Sequence, residues 1–305
     1  QLRRVHHRLV GHPLSHDRRP VGAPVSLPLM DRPIGMFDSG FGGLTVARAV
    51  IDLLPHEHLV YLGDTGRYPY GPRPQAEVRE FAHQLAWSLV KDHDVKAIVV
   101  ACNTASAAAL DELEAELPVP VIDVVAPGAR ALVKASRSGK VGVIGTVGTI
   151  RSGAYERAVA ATGAHVQLTS AACPGLVEFV ERGQTSGDEI HILAERLLAP
   201  VHDAGVDTLL LGCTHYPYLA HVIADVMGSD VTLVSSAIET ALVARDELQA
   251  AGLLREPGGE PAEHRFLSSG DISGFADPGG RRRGPEPRHA PHGPHALRDR
   301  RHRRP

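Results

Sequence analysis

Apolar and polar residues follow each other along the chain in the pattern typical of repeated β/α units. From Met30 onward, short apolar runs alternate with longer amphipathic stretches. Parallel strands buried on both faces read as continuous apolar runs, and the helices that connect them read as amphipathic stretches, so the pattern predicts an α/β fold. The predicted strands are Ile34–Phe37, Leu59–Leu62, Ala97–Ala101, Val119–Val124, Lys140–Ile144, Val166–Thr169, Thr208–Leu211 and Thr232–Ser235. The predicted helices are Leu44–Leu54, Gln75–Asp92, Ala105–Glu116, Ala126–Ser136, Ser152–Thr162, Asp188–Ala204 and Ile238–Ala251.

Two pairs of segments resemble each other, which indicates an internal repeat. The segments VKAIVVACNT (95–104) and VDTLLLGCTH (206–215) both begin with Val and place a cysteine at the seventh step after it. The strand and Gly-rich turn that begin at Ile34 likewise resemble those that begin at Val141. The repeat therefore predicts two similar parallel-sheet α/β domains that face each other across a cleft. Because ligands bind beyond the carboxyl ends of such strands, we expect the active site in that cleft.

Charge is distributed unevenly. The overall charge is −3, but residues 1–29 carry +4 and residues 281–305 carry +7, which leaves −14 for residues 30–280. Basic ends can bind nucleic acid or a membrane surface. These ends lack aromatic residues, apolar periodicity and binding motifs, so we predict that residues 1–29 and 279–305 are disordered extensions. A further hypothesis is that neither end belongs to the native protein.

Composition fits a two-domain α/β protein, because 305 residues with 43% apolar and 4% aromatic residues can bury a sizeable core. No apolar run is long enough for a spanning helix, and the N-terminal residues lack the apolar core of a secretion signal. The expected location is the cytoplasm. Neither a membrane nor a nucleic acid is an expected partner.

The three cysteines, Cys102, Cys173 and Cys213, form no CxxC pair and are odd in number, which favours free thiols over disulfides. A zinc site formed by all three with His215 is an alternative, but the separations of 71 and 40 residues match no metal-ligand spacing. The expectation is therefore no metal. Cys173 is predicted to be structural.

Cys102 and Cys213 are the candidate catalytic residues. Cys102 is followed by Asn103 and Thr104, and Cys213 by Thr214 and His215, so each thiol has polar side chains beside it at the start of a predicted helix or turn. The amino-terminal end of a helix favours the thiolate form of a cysteine and can hold an anionic ligand. His215 could pair with the Cys213 thiol or orient it. A thiol on each side of one pocket can remove a proton from one face of a carbon and return one to the other, which predicts a two-base epimerisation.

Two loops and one helix supply further candidates, each with a plainer alternative. Asp38 could offer its carboxylate to a thiol or an ammonium group, or cap a helix. The Tyr70–Gly71 peptide could hold a substrate carboxylate, or lie in a surface turn. Glu181 could reach Cys213, or be a solvated helix carboxylate. The chain shows no dinucleotide fingerprint, phosphate-cradling loop or lysine in a cofactor motif.

Together these segments resemble the glutamate racemases of the cofactor-independent aspartate/glutamate racemase superfamily. The matching motifs are Phe37-Asp38-Ser39-Gly40, Gly63-Asp64 with Pro69-Tyr70-Gly71, Ala101-Cys102-Asn103-Thr104-Ala105, Gly145-Thr146 with Thr149, and Gly212-Cys213-Thr214-His215-Tyr216-Pro217. The resemblance implies a chain that leaves its first domain, builds the second and returns. The domains would then be residues 30–125 with 236–278, and residues 126–235.

The resemblance also implies residue roles. Cys102 would handle the proton of D-glutamate and Cys213 that of L-glutamate, with Asp38 supporting the first and His215 with Glu181 the second. The residues that would hold the amino acid are Asp38, Ser39, Tyr70, Gly71, Asn103, Thr104, Thr214 and His215, with Thr146 and Thr149 nearby. No cofactor would be needed. The product D-glutamate would supply peptidoglycan synthesis for the cell wall.

Two other functions stay open at this point. One is an aspartate racemase with the same two-thiol architecture. The other is an inactive binding protein that uses its basic ends on nucleic acid. The sequence does not determine the oligomeric state and is compatible with a homodimer.

Overall fold

A computed structural model of the protein describes residues 27–258 and 260–270. The strands are β1 (Ile34–Asp38), β2 (Leu59–Gly63), β3 (Ala97–Val100), β4 (Val121–Ile122), β5 (Lys140–Gly145), β6 (Gln167–Ala172), β7 (Thr208–Gly212), β8 (Thr232–Ser235) and β9 (His264–Ser268). The α-helices are α1 (Leu44–Leu53), α2 (Gln75–His93), α3 (Asn103–Glu116), α4 (Val125–Ala135), α5 (Val147–Arg151), α6 (Ala154–Ala161), α7 (Leu176–Glu181), α8 (Asp188–Asp203), α9 (Ala220–Met227) and α10 (Ala237–Ala250). Short 3-10 helices cover Leu29–Asp31 and Tyr216–Leu219.

The strands form two parallel sheets, which confirms the predicted α/β fold. The strand order is β4-β3-β1-β2-β9 in the first sheet and β6-β5-β7-β8 in the second. Every residue of β1, β3 and β7 is buried, because helices cover both faces of the sheets. If β5 to β8 are matched to β1 to β4, the two sheets have the same strand order. The internal repeat is therefore visible in the topology, with β9 added to the first sheet only.

The chain returns to the first sheet after completing the second. Helix α10 packs on α1, where its Ala241 and Ala244 share a core cluster with Val46 and Val50. Strand β9 then pairs in parallel with β2. The domain boundaries given above stay a prediction, and the extensions at residues 1–26 and 271–305 lie outside the described part of the chain.

Several elements differ from the sequence predictions, and among them helices α7 and α9 were not predicted. The strand expected at Val119–Val124 is reduced to β4, because the Asp123 side chain accepts hydrogen bonds from the first amides of α4 and so ends the strand there. The helix expected at Ser152–Thr162 begins two residues later, as α6, because Gly153 adopts a left-handed φ of 68°, and the short helix α5 that precedes it was not predicted. Strand β9 was not predicted, since its partly exposed residues form no continuous apolar run.

A buried ion pair fastens the amino-terminal edge of the first sheet. Lys96 precedes β3, and its Nζ lies 2.5 Å from Glu57 Oε2. The same Nζ donates to the carbonyl oxygens of Met30 at 2.6 Å and Leu253 at 2.8 Å. Burial lowers the pKa of Lys96, although Glu57 acts in the opposite direction. The pair thus ties the segment before β1 and the segment after α10 to the start of β3.

Among the described helices, none is both long and apolar enough to cross a membrane.

The ion pair gives a test of the fold. Lys96→Met should lower the free energy of unfolding by about 3–5 kcal/mol, because it leaves the Glu57 carboxylate buried without its cation. Urea unfolding measures the loss. Lys96→Met combined with Glu57→Met should be less destabilised than the single variant, and Lys134→Met, which replaces an exposed lysine, should change stability by less than about 0.5 kcal/mol. Wild-type stability in Lys96→Met would contradict this role for the pair.

Candidate active site

The two predicted catalytic cysteines line the same cavity, which has a volume of about 70 Å³. Cys102 is the residue directly before α3, and Cys213 directly follows β7. Both thiols are almost fully buried. The cavity is lined by Ser39, Tyr68, Pro69, Tyr70, Gly71, Pro72, Cys102, Asn103, Thr104, Thr146, Val147, Cys173, Pro174, Gly175, Val177, Glu178, Cys213, Thr214 and His215. Residues that follow strands of both sheets therefore meet at one site.

Most of the predicted site residues belong to this lining. Asp38, Thr149 and Glu181 are not among the lining residues, and both Asp38 and Thr149 are fully buried. Three residues that were not predicted as site residues also line the cavity: Tyr68 from the loop after β2, and Val177 and Glu178 from α7. Cys173, predicted to be structural, also lines the cavity, and its carbonyl oxygen accepts a hydrogen bond from Tyr216 Oη at 3.1 Å.

The Cys102 thiol is held in its protonated form. Its Sγ donates to Ser39 Oγ at 3.6 Å. Burial, together with the Asp38 charge, raises the pKa of Cys102 to about 12, although hydrogen bonds from Ala105 and Ser39 act in the opposite direction. Near neutral pH this thiol is therefore a proton donor.

Asp38 fixes the turn that leads into α1. Its Oδ2 accepts hydrogen bonds from the backbone amides of Gly40 at 3.1 Å and Gly43 at 3.0 Å. Its Oδ1 is buried and has no hydrogen-bond partner among the described residues. One oxygen thus holds the turn before α1, although Asp38 is not the helix cap that the plainer alternative suggested, because Gly43 has the N-cap position without a side-chain cap. The other oxygen can accept a hydrogen bond.

Cys213 lies beside a buried histidine–glutamate pair. His215 Nδ1 is 3.8 Å from Cys213 Sγ and 3.3 Å from Thr214 Oγ1. His215 Nε2 is 2.6 Å from Glu181 Oε1. Burial alone lowers the pKa of His215, but the contacts with Cys213 and Glu181 outweigh it and raise the pKa to about 10. The imidazole is therefore protonated near neutral pH.

Hydroxyl and backbone contacts join the two sheets at one wall of the cavity. Thr104 Oγ1 is 2.9 Å from Thr146 Oγ1 and 3.2 Å from Thr149 Oγ1. The Gly148 amide donates to the Gly71 carbonyl oxygen at 3.0 Å. These contacts hold the loop after β2 and the start of α3 against α5.

Asn103, at the start of α3, is held by Tyr155 of the second half, which was not predicted as a site residue. Its Nδ2 donates to Tyr155 Oη at 2.7 Å, and both side chains are buried. Burial raises the pKa of Tyr155, so its hydroxyl stays neutral. Tyr155 lies in α6, far from Asn103 in the sequence, so only the folded structure reveals the hydrogen bond between them.

Metal-ligand geometry is not formed in the part of the chain that the structure describes. No group of three or more His, Cys, Asp or Glu side chains there could hold a metal ion, and all three cysteines are free.

Comparisons with known proteins agree on one family. Residues 44–244 match the family model described as Asp/Glu/Hydantoin racemase. A glutamate racemase of Parafrankia sp. is 56% identical over 254 residues, covering 83% of this chain and 91% of that protein. A glutamate racemase of Corynebacterium glutamicum is 52% identical over 251 residues, covering 82% and 91%. The crystal structure of a Bacillus anthracis glutamate racemase superimposes with a TM-score of 0.76 at 44% identity, covering 80% of this chain and 91% of that chain.

The raised pKa of His215 gives a test by pH. Because the folded-state pKa is about 10 and the ordinary value is 6.5, the stabilisation from the protonated imidazole is complete below the ordinary value and is lost as pH rises toward the folded value. Between pH 7 and 9 (about the middle of that window), wild type should lose up to about 1.4 kcal/mol of unfolding free energy per pH unit relative to His215→Asn. Urea unfolding at several pH values measures the difference.

Glu181→Gln should show a smaller relative loss than wild type, because Glu181 supplies part of the shift. His202→Asn, which replaces an exposed histidine outside the cavity, should follow the wild-type curve. Parallel pH curves for wild type and His215→Asn would rule out a buried imidazolium at this position.

Proposed function

This chain belongs to the Asp/Glu/Hydantoin racemase family, and we propose that it is a glutamate racemase that transfers protons between two cysteines and the α-carbon of glutamate. The one observation that supports this most is that Cys102 and Cys213, at equivalent places of the repeat, line a single cavity. The similarity to proteins named glutamate racemase favours glutamate as the substrate.

The cavity suits the removal of a weakly acidic proton. A carbanion that forms at the α-carbon needs hydrogen bonds to the adjoining carboxylate in a site from which water is largely excluded. Donors are available from both sheets. They are the hydroxyls of Ser39, Thr104 and Thr214, the Asn103 side chain and the Tyr70–Gly71 peptide. In the proposal these groups hold the amino acid with its α-carbon between the thiols.

The proton transfers balance across one turnover. Starting from L-glutamate, the Cys213 thiolate takes the α-proton, so the C–H bond breaks and an S–H bond forms. The Cys102 thiol then gives its proton to the opposite face of the carbon and becomes a thiolate. The product is D-glutamate, and the enzyme is left in the protonation state that the reverse reaction requires.

Different neighbours support the two thiols in this scheme. His215 is protonated by virtue of its raised pKa and can donate toward Cys213 Sγ from Nδ1, while Glu181 holds Nε2. On the other side, the Asp38 charge raises the pKa of Cys102, and Asp38 Oδ1 has no hydrogen-bond partner among the described residues. Asp38 and His215 are thus the side chains that would support Cys102 and Cys213, respectively.

We extend the proposal to the cell, where D-glutamate would be supplied for cell-wall peptidoglycan. Three buried free thiols fit a reducing compartment such as the cytoplasm. The gene should therefore allow a bacterium that requires added D-glutamate to grow when no D-glutamate is supplied. Failure of the wild-type gene to support such growth, with the protein present and folded, would refute the cellular role.

An aspartate racemase is the nearest alternative, and direct assay decides between them. The protein should racemise glutamate with a kcat/KM well above that for aspartate. A preference for aspartate would overturn the proposed substrate and leave the two-thiol chemistry in place.

Replacement of each thiol tests the chemistry. Cys102→Ser and Cys213→Ser should each reduce racemisation by at least about a thousandfold, because a serine hydroxyl is a far poorer base than a thiolate. Circular dichroism of L- and D-glutamate solutions and deuterium exchange at the α-carbon in D2O provide the measurements. Cys173→Ala, which removes the third buried thiol, should keep both racemisation and deuterium exchange at the α-carbon. Full activity in either serine variant would contradict the assigned roles.

A further inference from the structure

The end of β9 is fastened to the substrate-facing loop through one buried carboxylate. Asp64 follows β2 and is fully buried. Its Oδ2 accepts a hydrogen bond from Tyr70 Oη and another from Arg67 Nε at 2.7 Å. Its Oδ1 accepts from Ser269 Oγ at 2.5 Å. The two oxygens of Asp64 thus hold groups that are about two hundred residues apart in the sequence.

Neighbouring contacts fix the same junction. The Gly66 amide donates to Ser269 Oγ at 3.1 Å, and Thr65 Oγ1 lies 2.5 Å from Ser268 Oγ. The Gly270 amide donates to Thr65 Oγ1 at 3.1 Å. A Cβ on Gly270 would lie 2.8 Å from the Gly66 nitrogen, so the two segments are as close as glycine permits. The segment Ser268–Gly270 therefore has one defined position against the loop.

Tyr70 connects this junction to the cavity. Its side chain is buried and packs on the Phe81 ring with a centroid distance of 5.5 Å. Burial, followed by the bond to Asp64, raises the pKa of Tyr70, so the hydroxyl stays a donor to the carboxylate. The following peptide reaches the cavity wall, where the Gly71 carbonyl oxygen accepts from Gly148.

We propose that Asp64 is a positioning residue of the reaction, through which Ser269 at the end of β9 sets the place of the Tyr70–Gly71 peptide against the substrate. The inference rests on the proposed function, in which that peptide holds the amino acid. The physical reason is that a carboxylate anchored at one oxygen can rotate, whereas one anchored at both oxygens from separate elements cannot. A segment with no reactive group thereby affects substrate binding.

Steady-state kinetics on Ser269→Ala test the proposal. Loss of a hydrogen bond to a charged group and a small displacement of the loop should raise KM for both glutamate enantiomers about fivefold to tenfold, with kcat changed less than about twofold. Tyr70→Phe should raise KM at least as much, and so should Asp64→Asn. In the Tyr70→Phe background, Ser269→Ala should raise KM less than about twofold further, because the connection to the peptide is already broken.

Control variants separate positioning from stability. Ser269→Thr keeps the hydroxyl at an exposed position and should restore KM. Ser136→Ala removes a comparable bond, in which Ser136 Oγ donates to Asp207 Oδ1 at 2.8 Å directly before β7, and should lower the melting temperature without a change in KM.

The results that overturn the inference differ from those that overturn the proposed function. An unchanged KM in Ser269→Ala, or KM effects of Ser269→Ala and Tyr70→Phe that simply multiply, would show that the junction is only structural. Both serine variants of the catalytic cysteines would still be inactive in that case. Racemisation without those thiols would instead refute the proposed function.

Discussion

The site depends on the close approach of the two sheets at the carboxyl ends of their strands, which glycine makes possible. A Cβ on Gly42 would lie 2.4 Å from Thr214 Oγ1 and 2.6 Å from His215 Nδ1. A Cβ on Gly71 would lie 2.8 Å from Thr146 Cβ. Any larger residue at either position would push the sheets apart or displace a cavity side chain. The same close approach leaves little room for water, which strengthens every hydrogen bond that the cavity offers to a charged ligand.

The repeat duplicates the scaffold and leaves the surroundings of the two thiols different. Cys102 has a serine hydroxyl and the buried Asp38 carboxylate beside it, so its proton is held tightly. Cys213 has an imidazole beside it, which its contacts with Cys213 itself and with Glu181 keep protonated. One side of the cavity thus offers a protonated thiol, and the other side offers a sulfur beside a protonated imidazole. The two sides differ chemically, although the strands that carry the thiols are equivalent. In the proposed reaction, one protonation state of this pair would serve one enantiomer and its counterpart would serve the other.

Much of the fold could be predicted from the sequence because it depends on local patterns. Apolar runs identified eight of the strands, and the two cysteine segments indicated a repeat that the matching strand orders confirm. Features set by distant contacts could not be predicted. Strand β9 is an edge strand with little apolar character, and α7 is too short for helical periodicity. The bonds of Tyr155 to Asn103 and of Ser269 to Asp64 join residues that only the folded chain brings together.

The proposed reaction requires two different thiols that act on opposite faces of one carbon. The direct measurement is the wild-type reaction of protiated L-glutamate in D2O, stopped at low conversion, with deuterium determined separately in the two enantiomers. We expect deuterium at the α-carbon of the D-glutamate formed and almost none in the remaining L-glutamate, because the group that removes the proton is not the group that delivers one. Equal deuterium in the recovered L-glutamate, or D-glutamate that keeps its original hydrogen, would show that a single base acts and would rule out proton transfer by two thiols.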